Sequence, residues 1–339
     1  MGPEGHHPDE GPPLAFVLVV TKAGATGPEY AAMAEPQSAW RGRLDLQFER
    51  RGSTDRQRTI HQGQASSPLK LQRAQLQSSG HCELPILHTA GGLVGGDELQ
   101  ITAQLQPQSQ ALLTSVAAQK VYGSVGRSRQ HPQGAWSRQT LTFNLQQGSQ
   151  LEWLPQELVL YANGLFEQTC RVQLAPGASF LGAEVVRLGR TAAGEDLEQG
   201  RWRSALEVTR TGATDEHWEL VDRLELHGAA LTGEHGMADQ PVFGSLAWIA
   251  GEPLSSTALE ALLHSCREQR AGLEGTMACG ALEQGLVARY RGPSSQAARF
   301  WFCRIWALIR AVQELAPPEL PRVWPFQESP LSPRPDCSI

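Results

Sequence analysis

The sequence predicts a mainly β chain of stacked, β-helix-like sheets that closes with two or so C-terminal helices. Three observations carry that prediction. From Trp40 onward most of the apolar signal alternates with period two, the mark of half-buried strands. A strand–turn–strand unit recurs at Leu105–Leu112, Leu145–Leu151 and Leu174–Phe180, each copy turning through Pro or Gly with a small residue. In the last third the spacing becomes helical. Strand pairs that bury their apolar faces on one another suggest a solenoid-like stack; a two-sheet sandwich built with the same turns is the alternative.

Residues 1–38 carry Pro, Gly, His and Glu without sustained periodicity and read as a disordered leader. Arg43–Glu49 alternates polar and apolar, the first strand. The segment Leu87–Asp97 then places Gly91, Gly92, Gly95 and Gly96 in six positions and ends on Asp97. Glycine serves where the backbone must turn to positive φ or approach another group closely. The strand Glu98–Gln106 follows, with Leu99, Ile101, Ala103 and Leu105 on one side. Neither a P-loop nor a dinucleotide fingerprint has this spacing, and both open helices rather than strands. A structural turn shaping a sheet edge is the plain reading of the glycines. Further strands run through Leu141–Leu145, Arg171–Leu174, Leu206–Val208 and Leu224–Leu226.

Thr257-Ala258-Leu259-Glu260 offers a capping box, and Leu259, Leu262, Leu263 and Cys266 share one face of the helix that follows, ending near Gly272. After a strand through Leu286, Ala288 and Tyr290, Pro293-Ser294 opens a second helix with Trp301, Ile305, Leu308, Val312 and Leu315 at helical spacing. Phe302, Trp306 and Ile309 widen that stripe, and Pro317-Pro318 stops it. So apolar a helix is buried on two sides, in its own core or in a partner interface. Trp301, Trp306 and Trp324 are the candidate partner contacts, since interface hot spots favour Trp. Residues 39–326 read as one β-rich domain and 327–339 as a flexible tail.

Composition excludes several classes. A net charge of −6 over 339 residues gives no basic footprint for nucleic acid. Leu14–Val20, the apolar run near the start, is too short to span a membrane and lacks the flank of a signal peptide. Six cysteines with no Cys-x-x-Cys pair read as reduced thiols in a cytoplasmic protein. The Arg-rich stretches Arg41–Arg58 and Arg187–Arg210 lie among carboxylates and read as solvated faces.

No nucleophile elbow and no His-Glu-x-x-His motif occurs. His81, Cys82 and His88 are the best soft-ligand candidates, with a structural role as the alternative. Asp97, Lys120, Glu152 and Glu157 are charged groups in apolar strand context, and such groups need partners or water. An ion pair between Lys120 and one of the carboxylates is the structural reading. A carbohydrate-active β-helix would use Glu152 and Glu157 together, but five residues apart on one strand they point to opposite faces.

The run His88–Asp97, Lys120-Val121-Tyr122-Gly123-Ser124 and Leu151–Glu157 resemble the UreD (UreH) family of urease accessory proteins. So do Leu188-Gly189-Arg190 through Gly194-Glu195, Gly200–Arg203, Pro241–Gly244 and Arg289–Gly292, in order, from about Trp40 to Phe326. This chain has Thr89-Ala90 where many members have Pro-Pro, and Tyr161–Gly164 where many carry an acidic residue.

The resemblance implies a helical stack of strands and a scaffold without turnover of its own. It implies binding to the urease apoprotein and, through a UreF-like partner, to a UreG-like GTPase that carries nickel. It also implies transient passage of Ni²⁺ with no tightly bound cofactor, and no nucleic-acid or membrane partner. Carboxylates, carbonyls and water hold Ni²⁺ loosely where imidazole and thiolate hold it firmly, so Asp97, Glu157 and Glu195 are the expected passage lining. Gly91, Gly92, Gly95, Gly96 and Lys120 would frame it. A passive interaction module without a metal path is the other alternative.

Overall fold

The computed structural model describes residues 39–52, 57–212 and 216–332; the leader 1–38 and the last part of the expected tail lie outside the described residues. The chain opens with β1 (Arg41–Arg51), β2 (Arg58–Ala65), β3 (Leu69–Leu71), β4 (Gln75–Leu76) and β5 (Cys82–His88). It continues through β6 (Glu98–Leu105), β7 (Gln110–Ser115), β8 (Gln119–Val121), β9 (Ser137–Leu145), β10 (Gln150–Trp153) and β11 (Leu158–Leu160). Next come β12 (Leu165–Leu174), β13 (Ser179–Leu188), β14 (Arg201–Thr211), β15 (Glu216–Leu226) and the short α1 (Ala229–Thr232). The last third holds β16 (Val242–Ile249), α2 (Ser256–Glu268), β17 (Thr276–Leu282), β18 (Gly285–Gly292) and α3 (Ser295–Val312).

Two sheets face each other. The first runs β15-β14-β12-β9-β6-β1-β2, the second β17-β18-β16-β13-β10-β7-β5-β3 with β4, β8 and β11 attached beside that path. Their central strands are parallel: β1, β6, β9, β12 and β14 in one, β5, β7, β10 and β13 in the other. The chain alternates between sheets, so each coil adds a rung to both. Antiparallel strands finish the edges, β2 and β15 on the first sheet and β16, β18 and β17 on the second.

The recurrent turn is the corner of this stack. Leu105, Leu145 and Leu174 end neighbouring strands in register. Gln110, Gln150 and Ser179 start the next three in register. In two copies a serine hydroxyl closes the turn, Ser109 donating to the carbonyl of Gln106 and Ser149 to that of Gln146, both at 2.7 Å. The copies are unevenly spaced because the loop between β8 and β9 is much longer than that between β11 and β12.

The core has two parts. Leu46, Phe48, Ile101, Phe143, Phe180 and Trp202 belong to the layer between the sheets. The outer face of the second sheet packs Leu181, Leu246, Trp248 and Tyr290 against α2 and α3, which supply Leu262, Trp301, Ile305 and Trp306. Each such side chain fully removed from water stabilises by about 1.5–3 kcal/mol. Trp301 and Trp306 are therefore not surface contacts: both are 0% exposed, in the chain's own core. Trp324 is half-buried, its Nε1 donating to Thr114 Oγ1 at 2.8 Å.

Helix ends differ slightly from the sequence reading. Ser255, not Thr257, caps α2, its hydroxyl accepting the Ala258 N–H at 3.2 Å, while Ser294 caps α3 as its position predicts. Helix α3 ends at Val312, so Leu315 lies beyond the stripe. Residues at the start of the expected tail are held, since Arg304 donates Nε to the carbonyl of Pro330 at 3.1 Å. Within the Arg-rich stretches Arg43, Arg51 and Arg203 do pair with Asp45, Glu49 and Glu225 on solvated faces. Arg210 does not: it is buried against Glu219 and the carbonyls of Ala178 and Ala250.

Candidate functional site

Between the sheets lies a cavity of about 280 Å³. Its wall includes Leu99, Ile101 and Phe166 but also His88, Gln119, Gln139, Gln168 and Glu184. Parallel register builds the polar part. Gln139, Gln168 and Ser204 occupy the same position on β9, β12 and β14, three adjacent rungs of the first sheet. Glu184 faces them from β13, whose even-numbered neighbours Phe180, Val186 and Leu188 belong to the inter-sheet core.

These groups form one hydrogen-bonded line. Gln139 Nε2 donates to Gln168 Oε1 at 3.1 Å, and Gln168 Nε2 donates to Glu184 Oε2 at 2.9 Å. The Ser204 hydroxyl donates to the same carboxylate at 3.1 Å. A second, smaller cavity of about 30 Å³ shares Trp153, Gln168 and Glu184 with the first and extends to Cys170, Asp222 and Ser245.

Burial pushes the Glu184 carboxyl up to about 7. The Ser204 hydrogen bond pulls it down, Asp222 adds to the rise, and Arg289 and Gln168 oppose it. Near neutral pH this carboxyl therefore exchanges readily between acid and carboxylate. His88 Nε2 and Gln119 Nε2, on the wall of the larger cavity, are buried without a partner among the described residues. Gln119 Nε2 can donate to a polar guest and His88 Nε2 can donate or accept according to its tautomer, and the volume has room for several water molecules at the ~15 Å³ each needs.

A different polar cluster lies on the other face of the second sheet. Glu152 on β10 accepts Arg310 Nε at 2.7 Å and Nη2 at 2.6 Å, and Trp306 Nε1 at 2.6 Å. Arg310 also donates to Gln77 Oε1, and Gln77 to Glu83. Glu157, in the irregular stretch between β10 and β11, meets Arg299 at 3.2 Å. Glu152 and Glu157 are thus not on one strand. Each is tied to its own arginine of α3, unlike the free carboxyl pair a glycoside hydrolase uses.

The carboxylates expected in a passage are not brought together. Asp97 is 1% exposed and closes the glycine turn, Oδ1 accepting the Trp40 N–H at 2.8 Å and Oδ2 the Val94 N–H at 2.9 Å. Glu195 sits at the surface in an ion pair with Arg190. No cluster of three or more His, Cys, Asp or Glu with metal-binding geometry occurs among the described residues, so His81, Cys82 and His88 do not form one.

Gly91 and Gly92 border the larger cavity with positive φ of 75° and 153°. A Cβ on Gly95 would stand 2.7 Å from the Ala135 carbonyl, a close approach only glycine allows. Lys120 lines the cavity rim but is exposed, and makes no ion pair among the described residues; the expected Lys120–carboxylate bridge is absent because its side chain reaches water. Glu184 escaped the sequence reading, although a lone carboxylate in Phe180–Val186 was the available sign. No helix among the described residues is long and apolar enough to cross a membrane.

A sequence profile of the UreD urease accessory proteins matches residues 40–325. The chain is 60% identical over 298 residues to a urease accessory protein UreD of Synechococcus sp. (strain WH7805), covering 87% of this chain and 93% of that protein. It is 59% identical over 296 residues to the UreD of Parasynechococcus marenigrum (strain WH8102), covering 87% and 94%. To the UreD of Prochlorococcus marinus (strain NATL2A) it is 50% identical over 298 residues, covering 87% and 97%. The cavity-lined stack therefore belongs to a known lineage: this chain is a member of the UreD urease accessory protein family.

Proposed function

We propose that this chain is a non-catalytic, cytoplasmic scaffold of urease maturation that binds the urease apoprotein and partner accessory proteins and passes Ni²⁺ through the space between its sheets. A UreF-like protein and, through it, a UreG-like GTPase are the partners. The observation that carries the reading is the hydrogen-bonded line Gln139–Gln168–Glu184–Ser204 along the walls of the larger and the smaller cavity. A conducted ion needs several weak sites rather than one deep one. Amide, hydroxyl and single-carboxylate oxygens are such sites for Ni²⁺. Glu184 supplies the carboxylate of this line, whereas Asp97, Glu157 and Glu195, the expected lining, are held apart from it by backbone N–H groups, by Arg299 and by Arg190.

The test is nickel-dependent activation of apo-urease, with its accessory partners, by the wild-type chain and by Glu184→Gln at limiting nickel. Expected is an intact complex with activation reduced about tenfold, the factor given by about 1.4 kcal/mol of lost ion stabilisation. Equal activation by both would leave a passive interaction module and remove the passage.

A further inference from the structure

At one end the polar line meets a pair of opposite charges. Glu184, Ser245 and Arg289 stand side by side in register on β13, β16 and β18. The Arg289 guanidinium crosses from the second sheet to the first. Its Nη2 donates to Asp222 Oδ2 on β15 at 2.5 Å, and its Nη1 donates to the Ser245 hydroxyl. The Phe243 ring lies 5.9 Å from the guanidinium carbon.

Behind this pair is the small cavity holding Glu184, Ser204 and Cys170, and in front of it is solvent. The Arg289 and Asp222 side chains are 32% and 17% exposed, whereas Cys170 is 5% exposed. Two residues along the same face, Arg291 Nη1 donates to the carbonyls of Glu234 and Gly236 at 2.6 and 2.7 Å, pinning the segment that follows β15. The gap between the sheets is thus bridged at this end by a charge pair, while most of the inter-sheet layer is apolar. A fixed guanidinium at a constriction repels other cations, and a partly exposed ion pair is held weakly enough to reopen.

We propose that Arg289 and Asp222 form the gate of the inter-sheet passage, closed in this structure, with Arg289 as the barrier that stops a cation from crossing between the cavity at Glu184 and solvent at the β15–β18 end. Arg289 acts by position and charge, and Asp222 holds it across the opening. The gate rests on the passage reading, but it is tested without nickel or urease.

Cys170 is a native reporter behind the pair. Burial and the nearby Glu184 push its thiol above the usual cysteine range, so at one fixed alkaline pH the same small thiolate fraction meets either reagent. That thiolate attacks a methanethiosulfonate, forming a mixed disulfide and releasing methanesulfinate. The full-length chain is treated with the cationic aminoethyl reagent or the neutral methyl reagent, and labelling of Cys170 is followed by peptide mass spectrometry. With each rate divided by that reagent's rate toward a free thiol at the same pH, the cationic reagent is expected to react more slowly than the neutral one in the wild type. Arg289→Gln should raise the cationic rate about tenfold or more and leave the neutral rate within about twofold. Arg289→Lys, which keeps the charge, should behave as wild type. If Arg289→Gln does not fold, Arg289→Met is read in its place.

An unchanged ratio of the two rates in the charge-removing variant overturns the gate, as does an equal rise in both, which means a loosened fold. Failure of Glu184→Gln to lower urease activation would instead remove the passage and leave the Cys170 result standing.

Discussion

Two buried polar systems lie on opposite faces of the same sheet and are built on different terms. On the helix side, Glu152 is matched by the full guanidinium of Arg310 and by the Trp306 N–H, with Gln77 and Glu83 completing the set. On the inner side, Glu184 is held by neutral donors, Gln168 and Ser204, beside open volume. A carboxylate locked to an arginine fixes one arrangement of α3 on the sheet and has little left to offer a guest. A carboxylate held by amide and hydroxyl keeps its charge uncancelled nearby and its protonation adjustable. The same residue type is structural in one place and available in the other because its neighbours differ.

The largest effect should come from the helix side. Glu152→Ala or Arg310→Ala strands the other charge in the core, and removing one partner of a buried pair costs about 3–5 kcal/mol. Urea unfolding would read this as a large drop in midpoint. Glu184→Gln keeps shape and hydrogen-bonding capacity, and is expected not to destabilise at pH 7. If both replacements cost alike, the two systems are equally structural and the distinction collapses.

The two sides also titrate in opposite senses. Glu184 has its folded carboxyl raised to about 7 by burial, so the folded state holds a proton that the unfolded chain has released. Its contribution is present below about pH 4.5 and is lost as pH rises to about 7, of order 3 kcal/mol. On the helix side, His81 is pushed down to about 4 by burial, with Glu152 opposing and Arg310 adding to the fall. Its contribution is present above about pH 6.5 and is lost as pH falls to about 4, of order 3 kcal/mol. The two slopes partly cancel in the wild type between about pH 4.5 and 6.5. Stability measured against pH should therefore show Glu184→Gln gaining on the wild type as pH rises from 5 to 7, and His81→Asn gaining as pH falls from 6.5 to 4. Parallel curves for either variant would mean that its residue does not titrate as a buried group.

What the sequence conveys of this depends on distance along the chain. The corner at Leu105, Leu145 and Leu174 is legible because strand, turn and serine or glycine are adjacent, and stacking repeats them in register. The Asp97 turn is legible for the same reason. Glu184 is not, since its partners Gln168 and Ser204 come from other strands and only parallel pairing places them opposite. The aromatic stripe of α3 fits either a core or an interface by spacing alone, and it is the outer face of the second sheet, remote in sequence, that packs against it. The cap of α2 lies two residues earlier than the Thr257–Glu260 pattern suggests, because Ser255 offers an equally good acceptor and the helix takes the extra residues.

The smaller predictions concern carboxylates outside both systems, and they sharpen the comparison by giving its lower bound. Asp97→Ala removes the acceptors of two backbone N–H groups, those of Trp40 and Val94, and an unsatisfied donor there costs about 1–3 kcal/mol. Thermal unfolding should fall accordingly, without the charge-stranding penalty expected at Glu152, because Asp97 is satisfied by backbone and not by an arginine. Glu195 lies below that. Its carboxyl is held down by the hydrogen bond from Arg190, but both groups meet solvent, where an ion pair contributes little. Glu195→Gln should leave the unfolding midpoint and nickel-dependent urease activation unchanged in a chain whose Glu184→Gln variant loses activation. A loss at Glu195 equal to that at Glu184 would move the ion's route from the space between the sheets to the outer surface.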